Sequence, residues 1–247
     1  MKTSTPIQRA PLDRNVATNT EPFRKAIENI DLSGLAVLDF GCGEGFLEHL
    51  LKNSNADVVY AFEVLTEEID PDICAWANDP VAMPRLVINP PELRIGDELP
   101  PGDMTNYDYK KLLSAHDHFA IVANPPYFLF NRILSLTDKF NLSANKDLHD
   151  IGKKFAGGLM LTSGGRLGNH PGWSVVDIIS GKDFRPPVYA DQYLVRTGFD
   201  GRLKNDFDRP VIISVAQQFP HINDRNPQAD PSDYYPEMWE QLDGLKP

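Results

Sequence analysis

The feature that most constrains this chain is the run Ala36-Val37-Leu38-Asp39-Phe40 passing directly into Gly41-Cys42-Gly43-Glu44-Gly45. An almost continuous apolar run, without polar alternation, describes a strand buried on both faces, and such strands belong to parallel sheets covered by helices. Three glycines at alternate positions leave the backbone bare in a tight turn, so a nucleotide can approach the main chain closely. Phe46, Leu47, Leu50 and Leu51 then mark one helix face, and Val58-Val59-Tyr60-Ala61-Phe62 is a second apolar run. Strand, turn, helix and strand at this spacing form a parallel βαβ unit, which predicts a Rossmann-like α/β fold. At 247 residues the chain suffices for one main domain with insertions.

The rest of the chain is consistent with that opening. Residues 1–20 are polar, without a clear period, and read as an N-terminal arm; residues 21–219 read as the α/β domain; residues 220–247 read as an acidic, proline-rich tail. Phe23, Ile27 and Ile30 predict a helix over 21–30. Prolines 71, 80, 84, 90, 91, 100 and 101 interrupt any long element between Thr66 and Pro101, with a third strand over 85–88. Tyr107 to Leu113 reads as a helix, Phe119 to Ala123 as a buried strand, and Phe128 to Leu136 as the start of the next helix. Strands are expected over 173–179, 189–196 and 209–219, the last two paired across the loop from Gly198 to Asp208.

Charge limits the partners. The net charge is −11, which at long range repels a polyanion, but residues 151–220 hold 9 Lys and Arg against 6 Asp and Glu. Lys153, Lys154, Arg166 and Arg185 are the side chains in that block able to neutralise phosphates, although solvated surface charge is their more common use. No stretch approaches the roughly 18 apolar residues of a membrane span, and Met1 to Pro6 has no apolar core for a signal peptide. Cys42 and Cys74 cannot build a disulfide framework or a zinc site, which suits a reducing cytoplasm. His116 and His118 have no companion of ligand character at helical spacing, so a metal is not expected. Trp173 and His170 precede a strand, where packing is favoured over base contact.

The chemistry lies at two strand ends. Glu63 ends the second strand 18 residues after Gly45, where a carboxylate can accept both ribose hydroxyls of a nucleoside; a solvated strand-end acid is the alternative. Asn124-Pro125-Pro126-Tyr127 ends a third apolar strand, where open α/β sheets place their ligands. An exocyclic amine on a purine is a poor nucleophile because its lone pair is delocalised into the ring. The Asn124 side-chain oxygen and the Pro125 carbonyl can each accept one amine hydrogen and turn the lone pair outward, while Tyr127 stacks on the base. A rigid proline-rich strand exit without function is the alternative.

These stretches resemble the rRNA adenine N6-dimethyltransferases and the related erythromycin-resistance methylases. The resemblance is carried by Val37 to Gly45, by Gly102-Asp103-Met104 with Tyr107 to Leu113, by Ile121 to Tyr127, and by Asp183-Phe184-Arg185-Pro186-Pro187-Val188-Tyr189-Ala190-Asp191. It implies a class I methyltransferase fold, Rossmann-like α/β, with a mostly parallel sheet and a C-terminal antiparallel strand pair. It implies S-adenosylmethionine as cofactor and nucleic acid as partner, RNA before DNA. By position, Asp39, Gly41, Gly43 and Gly45 would line the cofactor, Glu63 its ribose and Asp103 its adenine amino group. Asn124 would serve both cofactor and target; Pro125 and Tyr127 would hold the target amine and base, with Phe184 as the opposite stacking face. Asp97 competes with Asp103, whose 21-residue distance to Asn124 suits the family better. The implied activity is adenine N6 methylation of RNA. DNA adenine methylation and a catalytically silent binding relative are the alternatives. The chain departs from the family in having Asn-Pro-Pro-Tyr where Asn-Leu-Pro-Tyr is usual, in lacking an opening Gly-Gln-Asn-Phe-Leu, and in having an acidic tail instead of a C-terminal helical domain.

Overall fold

A computed structural model describes residues 16–125, 133, 152–163, 173–185 and 191–204. Among them one seven-stranded sheet dominates. Strand β1 (Val16–Ala17) lies outside it and precedes helix α1 (Glu21–Glu28). The first βαβ unit then follows as β2 (Leu35–Phe40), α2 (Phe46–Leu51) and β3 (Val58–Phe62). Next come α3 (Pro71–Ala77), β4 (Arg85–Ile88), α4 (Tyr109–Ser114) and β5 (His118–Ala123). The chain ends its described part with β6 (Phe155–Ser163), β7 (Ser174–Ile179), β8 (Phe184–Arg185) and β9 (Gln192–Gly198).

The sheet order is β4-β3-β2-β5-β6-β9-β7. Strands β4, β3, β2, β5 and β6 run parallel, and β9 is antiparallel to both β6 and β7. A central parallel set with one reversed strand inserted near the edge is a Rossmann-like α/β arrangement. β2 is buried at all six positions. Its side chains alternate between two cores: Leu35 and Val37 pack with Phe23, Leu47 and Ile73 on one side of the sheet, and Ala36, Leu38 and Phe40 with Phe62, Leu112 and Tyr107 on the other. Asp39 therefore shares the face of Val37, the face covered by α2.

Several expectations shift. α1 stops at Glu28, two residues short of Ile30, which instead forms an isolated bridge with Leu203. Pro71 does not interrupt an element but begins one: it occupies the first turn of α3, whose cap Asp70 accepts from the Asp72 N–H at 2.7 Å. α4 starts at Tyr109 because Asp108 caps it, accepting from the Lys111 N–H at 2.9 Å. β6 adds a strand beyond those expected, and it contains Gly157 and Gly158, a residue type depleted in strands. Both glycines are demanded by packing, since a Cβ at Gly157 would lie 2.6 Å from the Phe199 ring, and one at Gly158 would lie 2.5 Å from the Trp173 ring. The pairing expected between 189–196 and 209–219 is corrected: β9 has β6 on one edge and β7 on the other, so no edge is left for a further strand. Residues 209–219 themselves, like the expected helix over 128–136 apart from Ile133, lie outside the described residues.

Candidate active site

The chain moves outward from β2 to β3 to β4 and then returns to the other side of β2 to lay down β5. The connections leaving β2 and β5 thus diverge, and the crevice between them is the switch point where such sheets bind ligands. In register Leu38 stands beside Ile121, so the glycine turn after Phe40 and the Asn124 exit after Ala123 open on the same crevice.

The turn needs its glycines. Gly41, Gly43 and Gly45 all have positive φ, at 81°, 59° and 97°, a region that side chains disfavour. Gly41 N–H donates to the Phe62 carbonyl at 2.8 Å, which ties the turn to β3. Gly45 begins α2 in the left-handed conformation, and a Cβ there would lie 2.8 Å from Ile73 Cγ1. A Cβ at Gly43, by contrast, would meet no atom within 4 Å, so the turn presents bare backbone to open space.

Three carboxyl groups surround this turn. Both oxygens of Glu63 are held by backbone donors: Gly43 N–H to Oε2 at 2.9 Å and Leu65 N–H to Oε1 at 3.0 Å. These two donors fix the orientation of the Glu63 carboxylate. Its backbone is clamped as well. Asn89 Nδ2 donates to the Glu63 carbonyl at 2.7 Å, and its Oδ1 accepts from the Glu63 N–H at 3.0 Å. Asn89 has φ 46°, a conformation asparagine tolerates better than most residues. Gly102 closes over the same spot, because a Cβ there would lie 1.9 Å from the Glu63 carbonyl oxygen. Asp39 and Glu48, both fully buried, have no hydrogen-bond partner for any of their four oxygens. Burial, reinforced by Glu48 and Glu63, holds the Asp39 carboxyl well above its ordinary range. Burial likewise pushes Glu48 up to about 7, against an ordinary 4.5. Cys42, in the turn, has its thiol pushed up by burial and by the same carboxylates, so it stays neutral.

Asp103 follows Gly102, whose backbone packs against that of Glu63. Asp97 is 99% exposed and pairs with Arg94 at 3.5 Å, which puts it away from the site. An aromatic floor lies below: Phe62 stacks on Phe40 at 5.3 Å and meets the Tyr107 ring edge-on at 4.8 Å. Asn124 is half-buried and Pro125 buried at the exit of β5; Tyr127 lies outside the described residues. Phe184 is 4% exposed and belongs to the core on the α2 side, its strand β8 paired with β1.

The basic side chains are engaged. Arg185 pairs with Glu44 of the glycine turn at 3.2 Å. Lys154 Nζ donates to the carbonyls of Leu113, Ser114 and His116 at 3.4, 3.3 and 2.7 Å, closing the C-terminal end of α4. Arg166 and His170 lie outside the described residues. Trp173 packs over Gly158, and His116 shares a 3.0 Å hydrogen bond with the Tyr60 hydroxyl. Among the described residues no group of three or more potential metal ligands occurs, and no helix is long and apolar enough to cross a membrane.

Sequence reading missed Glu48, Asn89 and Gly102. Glu48 carried a signal, since it falls inside the buried arc of α2 with Leu47 and Leu51. Gly102 stood out only within the Gly102-Asp103-Met104 stretch, with no role of its own, and for Asn89 no local signal exists, because its partner Glu63 is distant in sequence. The buried side chains around the turn are acidic, Asp39, Glu48 and Glu63, while the more exposed Glu44 is paired with Arg185. A pyrophosphate would meet repulsion here. A nucleoside bearing positive charge, as S-adenosylmethionine does on sulfur and ammonium, fits both the bare turn and the orphaned buried carboxyls.

No protein-family profile matches the chain, and no curated protein matches it in sequence. Solved structures do share its shape in part. The 23S rRNA methyltransferase ErmE is similar at 18% identity over 77% of this chain and 72% of its own, with a TM-score of 0.46. A dimethyladenosine transferase from Plasmodium falciparum is similar at 16% identity over 94% of this chain and 83% of its own, with a TM-score of 0.44. TrmN from Thermus thermophilus is similar at 15% identity over 72% of this chain and 48% of its own, with a TM-score of 0.39. Likeness at this level decides nothing about activity, and the assignment of the Rossmann-like α/β fold rests on the strand order itself.

Proposed function

We propose that the protein is an S-adenosylmethionine-dependent methyltransferase acting on an exocyclic amine, with adenine N6 in RNA as its acceptor. The observation that carries this reading is the placement of Asn124-Pro125 at the end of β5, beside the glycine turn of β2 with its acidic lining. One crevice thereby holds both a pair of amine-hydrogen acceptors and a pocket for a cationic nucleoside. Glu63 accepts the ribose hydroxyls, Asp103 the cofactor adenine amino group, and Asp39 with Gly41, Gly43 and Gly45 lines the remaining wall.

The sulfonium supplies the methyl group and the chemical drive. The chain's own residues supply position. Asn124 Oδ1 and the Pro125 carbonyl each accept one hydrogen of the target amine, which bends the nitrogen out of conjugation and aims its lone pair. Tyr127 stacks on the base, and the consecutive prolines keep both acceptors rigid. DNA adenine is the second reading, favoured by the Asn-Pro-Pro-Tyr form of the motif, which is common in DNA amino-methyltransferases.

The test is tritiated methyl transfer from S-adenosylmethionine to total RNA, genomic DNA and protein of one lysate, followed by nucleoside analysis. Label in N6-methylated adenosine from RNA is expected. Label in deoxyadenosine selects the second reading, and label confined to protein removes both.

A further inference from the structure

β4 is the outermost strand on its side of the sheet and pairs with β3 alone among the described residues. Arg85 N–H donates to the Asp57 carbonyl at 3.4 Å and Asn89 N–H to the Ala61 carbonyl at 2.9 Å, so the odd-numbered positions face β3. The alternation of a strand then turns the N–H and carbonyl groups of Leu86 and Ile88 to the outer edge. Prolines stand at the next outward positions on both sides. Pro84 and Pro90 have no N–H, and their carbonyls are already engaged, by Trp76 Nε1 at 2.8 Å and by the Leu93 N–H at 3.2 Å. The open ladder is thus confined to Leu86 and Ile88 and is symmetric about Val87. Beside it an open groove of about 370 Å³ runs between α3 and β4, with Ile69, Cys74, Ala77, Leu86 and Ile88 in its lining. Five large apolar side chains are exposed among the described residues, and four of them flank this strand: Val81 and Met83 before it, Ile95 and Leu99 after it. Exposed apolar side chains beside an unpaired strand edge mark an interaction surface.

We propose that the occupant of this edge is a second copy of the chain, whose β4 pairs antiparallel with the first about a two-fold axis at Val87. Such an interface requires a patch that complements itself, and three features of this one do. Placing Leu86 opposite the second copy's Ile88 matches every outward N–H with an outward carbonyl, which gives four main-chain bonds. A shift of two residues either way sets Leu86 or Ile88 opposite a proline whose carbonyl is engaged, and only two bonds remain. The flanks agree with the same register. Antiparallel pairing lays the segment before β4 along the segment after it, so Val81 and Met83 of one copy run beside the stretch that leads from Pro91 to Ile95 in the other. Charge agrees as well: Arg85 and Glu92, both exposed, stand toward opposite ends of the strand, and the two-fold axis brings each toward the opposite charge of the second copy. A strand of unrelated sequence has none of these reasons to fit. The pairing does not depend on the methyltransferase reading, and β3 and β2 stand between it and the crevice beside β5.

Sedimentation equilibrium of the full chain measures the association, and a cross-link specific to the register locates it. A reversible equilibrium between monomer and dimer is expected. Val81→Glu combined with Met83→Glu, two changes at exposed positions, should weaken the dimer by at least about tenfold by placing charge in an apolar contact, while unfolding of the monomer stays as it was. In Val87→Cys the introduced thiols face each other across the axis at a Cα separation of about 4.5 Å, within the reach of a disulfide. Mild oxidation should then give a covalent dimer joined at that position, identified by peptide mass spectrometry. In Arg85→Cys the two thiols lie about 13 Å apart, and no such dimer should form. A chain that is monomeric at every concentration overturns the proposal and leaves the edge to a different protein. A dimer that ignores the double glutamate variant, or that cross-links through Arg85→Cys as readily as through Val87→Cys, overturns it too, because the interface then lies elsewhere or in another register. If Val87→Cys does not fold, the wild type and the double glutamate variant decide between these outcomes.

Discussion

Replacing Glu48 by Gln should change how the stability of the free protein depends on pH. In the unfolded chain Glu48 titrates near its ordinary 4.5, whereas burial in the fold pushes it up to about 7. Between these values the folded state binds the proton more tightly than the unfolded state does. The resulting stabilisation is fully present below about 4.5 and is lost as pH rises through about 7. A displacement of that size corresponds to roughly 3 kcal/mol of stability lost across the window. Gln is nearly isosteric and does not titrate, so the variant escapes that loss. At pH 4 the two proteins should unfold alike. At pH 8 Glu48→Gln should be the more stable by about 2 to 3 kcal/mol, or roughly 4 to 12 °C in Tm for a domain of this size. Urea or thermal unfolding from pH 4 to 8.5 measures the difference. Parallel profiles for the two proteins would refute the reasoning, because they would mean that Glu48 is ionised in the fold or is not buried.

Four further outcomes are expected. Glu63→Ala should weaken S-adenosylmethionine binding by at least about a hundredfold in calorimetry, since it removes charge-assisted bonds worth about 1.5 to 3 kcal/mol each and releases the Gly43 and Leu65 N–H groups it now holds. Asn124→Ala should lower single-turnover methyl transfer by roughly 10² or more while cofactor affinity stays within a few-fold, since the lost acceptor acts on the target amine. Gly102→Ala should both lower Tm and weaken cofactor binding, because φ is +85° and the new Cβ would fall 1.9 Å from the Glu63 carbonyl oxygen; unchanged unfolding would show that the loop does not pack there. Lys154→Ala should cost about 1 to 2 kcal/mol of stability through the three carbonyls it caps, without altering the salt dependence of RNA binding.

The opening βαβ unit was legible in the sequence because its information is local. An apolar run without alternation, a glycine at every second position and one apolar helix face are each properties of neighbouring residues, and β3 over Val58–Phe62 and β4 over Arg85–Ile88 fall where the pattern puts them. Asn124 and Glu63 were legible for a related reason: in a parallel sheet the residue that ends a strand faces the crevice whatever the loops do. Tertiary structure decided the rest. β6 became a strand although it contains Gly157 and Gly158, because rings from Phe199 and Trp173 need the space that two side chains would fill. β9 took β6 and β7 as neighbours, a choice of edge that no periodicity records. Lys154 and Arg185 read as surface charge, but the fold brought each to a partner far away in sequence, on α4 and on the glycine turn. The meeting of Asp39 with Glu48, and of Asn89 and Gly102 with Glu63, is likewise invisible to local pattern. A carboxylate has the same composition whether solvated or buried, and only packing determines which of them loses its water and with it its ordinary charge.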